Sequence, residues 1–209
     1  MPPTTWVDRI MDTTNNWLRA IRLEGGGRLS EAVILYVEDA RACLGKGEPA
    51  RAALDCSCAA DCLSKMGEME YARGLYREAA RAYLENAGMK DLSIRESLWS
   101  MKVAHSHFLL AKDDEAAREL YSILAPLTRR IDSFAKFDDA LGPQGTGLSS
   151  ASGLATAYPS PSLQAISAVK RFLQDRHLRP EEIAAKERVA IAVLAAKVGS
   201  SVGEKNSPG

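Results

Sequence analysis

Three of the chain's four cysteines, Cys56, Cys58 and Cys62, fall inside the eight residues DCSCAADC that begin at Asp55. Clustered thiols can hold a metal, exchange disulfides or pack as small apolar groups, and their spacing separates these uses. At about 100° per residue on a helix, Cys58 and Cys62 lie within about 40° of each other, while Cys56 projects well away from both. Three sulfurs on one straight helix therefore do not converge on one ion. There is no CxxC pair, and His105, His107 and His177 are far off in sequence, so the ligand spacing of a structural zinc site is missing. A disulfide between Cys58 and Cys62 is disfavoured, because one helical turn holds their Cβ atoms too far apart. Ala52, Ala53, Cys56, Ala59, Ala60 and Leu63 form one narrow stripe of small side chains, in which cysteine serves as a small hydrophobe. Packing is the first reading, and a thiol or metal sensor through Cys58 and Cys62 is the alternative.

Arg171 and His177 stand six apart in KRFLQDRHLR. That spacing resembles the Arg-x(4 to 6)-His signature of the helical ribonucleases that accompany minimal nucleotidyltransferases. The resemblance implies a histidine general base and an arginine that stabilises charge on phosphate. The competing reading is a solvated basic helix end, where Arg176, His177 and Arg179 complement the helix dipole. This is the one cluster suited to RNA, and Asp175, Glu181 and Glu182 offset its charge. His105 falls on the apolar stripe of its helix and reads as a hydrogen-bonded core residue, whereas His107 falls off that stripe. Asp138 and Asp139 mark a helix end. Gly142, Gly145 and Gly147 lack the Gly-Lys-Ser/Thr and the preceding strand of a phosphate loop. No catalytic residue, cofactor site or metal site is assigned from the sequence.

Helices must position these residues. In RLSEAVILYVEDARACL, Leu29, Ala32, Val33, Tyr36, Ala40, Cys43 and Leu44 recur at steps of three and four, with Ser30 as the expected N-cap. Gly45, Gly47 and Pro49 then punctuate the chain. The pattern predicts helices over about Ala50 to Met66, Met69 to Ala87 and Asp91 to Ala111, and another after Asp113 as cap. Their stripes include Ala72, Leu75, Tyr76, Ala79 and Tyr83, then Leu98, Met101 and Phe108, then Ala117, Leu120, Tyr121, Leu124 and Leu127. From Ala140 to Val169 no residue is charged, and GPQGTGLSSASGLATAYPSPS cannot supply a helical apolar stripe. Residues 132–162 are therefore read as a flexible linker. Leu163, Ile166, Val169 and Leu173 form a further stripe, Pro180 opens a last helix to about Val198, and 199–209 reads as a disordered tail.

Lys plus Arg equals Asp plus Glu at 27 each, so no global field steers the chain to nucleic acid or a membrane surface. The first residues carry charges throughout and form neither a secretory signal nor a span. Four cysteines without a disulfide-rich composition predict reduced thiols and a cytoplasmic protein.

Ala72, Tyr76 and Ala79 after Gly67 recur as Ala117, Tyr121 and Leu124 after Lys112, a small residue followed at four by an aromatic. This resembles the second helix of a tetratricopeptide repeat, where the small residue lets two helices approach. Over residues 8–75, WLRAI at 17–21 and YVEDARACLGKGEPARAALDCSCAADCLSKMG at 36–67 resemble an archaeal family known as domain of unknown function 357. The shared elements are Tyr36, Asp39 and Ala40, the Gly-rich break from Gly45 to Ala53, and Ala59, Leu63 and Gly67. The resemblance implies a small antiparallel helical domain and supplies no activity; Cys58 stands where the family more often has a tyrosine.

The expected fold is all-α: a tetratricopeptide-like stack of antiparallel helical hairpins over 4–131, the linker, and a C-terminal helical hairpin over 163–198. That hairpin is too small to bury its stripes alone, so it packs back onto the stack, in its concave groove, or pairs with another chain. The expected function is a non-catalytic cytosolic scaffold or adaptor whose groove holds another protein's segment.

Overall fold

The structure, a computed structural model, describes residues 15–132, 160–176 and residue 192. Local chemistry opens each helix. The Asn15 side chain accepts from the backbone N–H of Leu18 at 3.2 Å and starts α1 (Asn16–Gly25). Pro49 supplies a pre-set φ in the first turn of α3 (Pro49–Lys65). Ser93 and Glu96 form a reciprocal capping box that opens α5 (Ile94–Leu110). Asp113 accepts from the N–H of Ala116 ahead of α6 (Asp114–Asp132), and Ser162 accepts from that of Ala165 ahead of α7 (Leu163–Asp175). Three helices start without a side-chain cap hydrogen bond: α2 (Leu29–Lys46) after Arg28, α3 after Glu48, and α4 (Met69–Ala87) after Glu68. Ser30, expected as the cap of α2, lies inside its first turn instead; its hydroxyl is taken by Met66 Sδ and by the backbone N–H of Ser162.

The turns between helices are tight. Gly47 and Gly67 close theirs with φ of 75° and 85°, a conformation that costs a side chain steric strain. Lys112 makes the corresponding turn before α6 with φ of 58°. Such short connections force neighbours to run antiparallel, and each helix from α2 to α6 packs on the one before it. The fold is all-α. Among the described residues there is no strand, and no helix is long and apolar enough to cross a membrane.

Alanine sets the spacing of the core. Ala52, Ala59 and Ala60 of α3, Ala32 and Ala40 of α2, and Ala72 and Ala79 of α4 are fully buried, which lets the axes approach while Tyr36, Leu63 and Leu75 fill the gaps between them. One apolar cluster joins α1 to α4 with α7, and a second joins Ala53 and the far side of α4 to α5 and α6. The repeated element after Gly67 and Lys112 differs in one residue. Ala72, Tyr76 and Ala79 are buried, as are Ala117 and Leu124, but Tyr121 is exposed. α6 packs chiefly on α5, so its outer side lacks the cover that α3 gives to Tyr76.

After the long uncharged segment, α7 returns to lie against α2 and α4. The buried face differs from the expected one. Ala165, Val169 and Phe172 are buried, Ile166 and Leu173 are half-buried, and Leu163 is 86% exposed. Docked between α2 and α4, the helix turns Phe172 inward and Leu163 outward. The predicted second C-terminal helix apart from residue 192, most of the linker, Asp138, Asp139, the glycines at 142, 145 and 147, His177 and Arg179 lie outside the described residues.

Candidate functional site

The furrow holding α7 is pinned by polar contacts at both ends. At its start Ser162 N donates to Ser30 Oγ at 3.0 Å. At its end Asp175 pairs with Arg41 of α2 at 2.8 Å, and Arg176 donates to Glu78 and to Glu85 of α4, each at 3.2 Å. Glu78 is itself buried and also pairs with Arg81. Burial works against the Arg176 charge, but Glu78 and Glu85 more than offset it and raise its pKa. Arg176 is thus no solvated basic end of a helix: it is the anchor of α7. Along the helix Lys170 lies over the Tyr71 ring at 5.6 Å, and Leu173 rests on the bare backbone of Gly74. Arg171, the candidate of the ribonuclease-like reading, is exposed on the outer side of α7.

All four cysteines are free. The stripe of Ala52, Ala53, Cys56, Ala59, Ala60 and Leu63 is buried as expected, and α3 is covered on further sides too, since Asp55 and Cys62 are also fully buried. Cys58 is half-buried. Its thiol is pushed up to about 12, by burial first and then by Glu24, Asp61 and Asp55, with a hydrogen bond from Tyr36 acting the other way. Burial likewise drives Cys56 and Cys62 upward. Reactive thiols need the opposite shift, because the thiolate is the nucleophile.

The two histidines of α5 exchange the places expected of them. His107 is buried, and His105 is half-buried against the exposed ring of Tyr121, with centroids 5.7 Å apart. His107 Nδ1 donates to the carbonyl of Val103 at 2.8 Å, and Nε2 lies 2.7 Å from Ser57 Oγ on α3. Tyr76 and Tyr83 flank the ring. Burial lowers the pKa of His107 against the Val103 bond and Asp61, so the neutral imidazole is the form this niche suits. The expectation failed because it followed the large apolar residues of α5. The side facing α3 and α4 is also covered, and there the helix buries Ser97, Ser100 and His107, with Asn86 Nδ2 donating to Ser100 at 2.8 Å.

A cluster that the sequence reading did not single out lies where α1, α2 and α3 meet. Asp39 and Cys43 are one turn apart on α2, and Asp55 faces them from α3, with one donor atom of each within 4.8 Å of the others. Asp55 is fully buried. Arg51 donates to Asp39 at 3.1 Å, stands 3.7 Å from Asp55 without a hydrogen bond, and stacks over Trp17 at 4.5 Å. Burial, then Asp39, pushes the Asp55 carboxyl up to about 8 against the pull of Arg51. The i, i+4 step from Asp39 to Cys43 and the acid that begins DCSCAADC were visible signals. What hid the site is that its third member comes from the next helix.

Compared with protein families, with curated proteins and with solved structures, the chain finds no match.

Proposed function

We propose that this chain is a non-catalytic helical scaffold whose furrow between α2 and α4 receives an amphipathic helix. The observation that carries the reading is the docking of α7, which offers Ala165, Val169 and Phe172 at helical spacing to that furrow and is anchored through Arg176. The furrow is therefore complementary to an apolar stripe ending in a basic residue, and a partner helix of the same pattern fits the same place. The archaeal family, the tetratricopeptide-like arrangement of the hairpins and a cytoplasmic location belong to the same proposal. The first two rest on the quoted motifs and the last on the free thiols.

The reading is tested on the full chain carrying Phe172→Glu, which releases its own α7. A fluorescent peptide of residues 160–176 is added and its anisotropy followed. Saturable binding to the variant, much weaker binding to the wild type, and none by a peptide with the same Phe172→Glu change are expected. A peptide that fails to bind the opened furrow overturns the reading. No geometric feature of the described residues favours the ribonuclease-like or Cys58–Cys62 sensor readings over it.

A further inference from the structure

Among the described residues, the buried side-chain polar atoms without a hydrogen-bond partner are Trp17 Nε1, Arg51 Nε and both carboxylate oxygens of Asp55. They gather in one place, since Arg51 bridges Trp17 and Asp55. Natural proteins satisfy nearly all such atoms, and a cluster of exceptions signals strain, an ordered water or a bound ion. Here a fully buried carboxyl faces a second carboxylate and a thiol across at most 4.8 Å.

We propose that Asp39, Cys43 and Asp55 form a binding site for a borderline divalent cation of the zinc type, held by two carboxylate oxygens and one thiolate. The thiolate sets the class: magnesium and calcium take oxygen ligands, whereas zinc accepts sulfur and oxygen together. Metal–ligand lengths of about 2.0–2.3 Å place tetrahedral ligand atoms about 3.6 Å apart, so the three side chains close by about 1 Å around the ion. Two ligands share a turn of α2 and the third stands on α3, so small rotamer changes bring them in. Three protein ligands leave a fourth position for water or an added ligand. The entry lies past Asp39 and Arg51, whose side chains are 19% and 36% exposed.

Charge balances with the ion bound: the two carboxylates and the thiolate carry three negative charges, which the dication and the Arg51 guanidinium cancel. The charged groups that face the site are Asp39 on α2, Glu48 just ahead of α3 and Arg51 on α3, with the Trp17 ring contributed by α1.

The test is a titration of the full chain with cobalt(II), followed by displacement with zinc against a chelating indicator. A single equivalent producing a thiolate-to-cobalt charge-transfer band in the near ultraviolet is expected. Cys43→Ala should abolish the band. Asp55→Asn, and Asp39→Asn at the rim of the site, should weaken zinc binding by about a hundredfold or more. The Cys58→Ala/Cys62→Ala double variant should keep both. If Cys43→Ala loses its helical circular dichroism, Cys43→Ser and Asp39→Asn carry the decision. No charge-transfer band in the wild type, a band that survives loss of the Cys43 thiol, or one that disappears with Cys58 and Cys62 overturns the proposal.

Discussion

Replacing Asp55 by asparagine removes one titrating proton and almost no volume, from a side chain that is fully buried. The folded carboxyl is raised to about 8, by burial first and Asp39 second, while an unfolded aspartate titrates at about 3.9. Between these two values the folded chain binds a proton that the unfolded chain has lost. Stability therefore falls as pH rises, by about 1.4 kcal/mol per pH unit from this one group. Integrated from about pH 5 to about pH 7, the loss is about 2.5 kcal/mol, and above about pH 8 the penalty is complete. An asparagine does not titrate, so Asp55→Asn removes this slope. The assay is urea unfolding of wild type and variant at about pH 5, 6 and 7 in the presence of a chelator, followed by circular dichroism. The stability of the variant relative to the wild type should grow by about 2.5 kcal/mol across that range. Groups common to both chains, His107 among them, cancel in the difference. Parallel pH profiles would refute the reasoning, because they would mean that Asp55 is ionised in the folded protein throughout.

Phe172→Ala should cost about 3–5 kcal/mol of docking energy, since the ring is 1% exposed in the furrow; hydrogen exchange should then show α7 amides losing protection while those of α3 to α5 keep theirs. Gly74→Leu should release α7 without altering it. A Cβ at Gly74 would already stand 2.8 Å from a Leu173 methyl, which can swing away from a single methyl group but not from a branched side chain; faster proteolysis between α6 and α7 reads the effect. The pKa of His107 is lowered in the fold by burial, so its contribution to stability is lost as pH falls below the ordinary histidine value of about 6.5. His107→Gln should remove that loss, so the melting temperature of the variant relative to the wild type should rise as pH falls from about pH 7 to about pH 5.

On two helices the sequence reading failed for the same reason. Periodicity assigns a helix one buried face, and α3 and α5 each bury more than one. On α3 the alanine and cysteine stripe was legible, yet Asp55 and Cys62, which lie off it, are buried just as deeply. On α5 the apolar count pointed to His105, and the polar side that packs on α3 and α4 took His107 instead. On α7 the largest aliphatic residues suggested a face through Leu163, but docking against both α2 and α4 buried Ala165 and Phe172 instead.

The helices themselves, their order and most of their ends were written in local chemistry. Capping groups, glycines that accept positive φ, a proline in a first turn and stripes at steps of three and four act within a few residues, and no distant contact is needed to read them. The return of α7 to the furrow between α2 and α4, the anchoring of Arg176 by Glu78 and Glu85, and the meeting of Asp39, Cys43 and Asp55 required the folded chain. Each joins residues from separate helices. Their proximity is set by how closely small side chains let those helices approach and by the angle at which the next one crosses, and no local spacing encodes either.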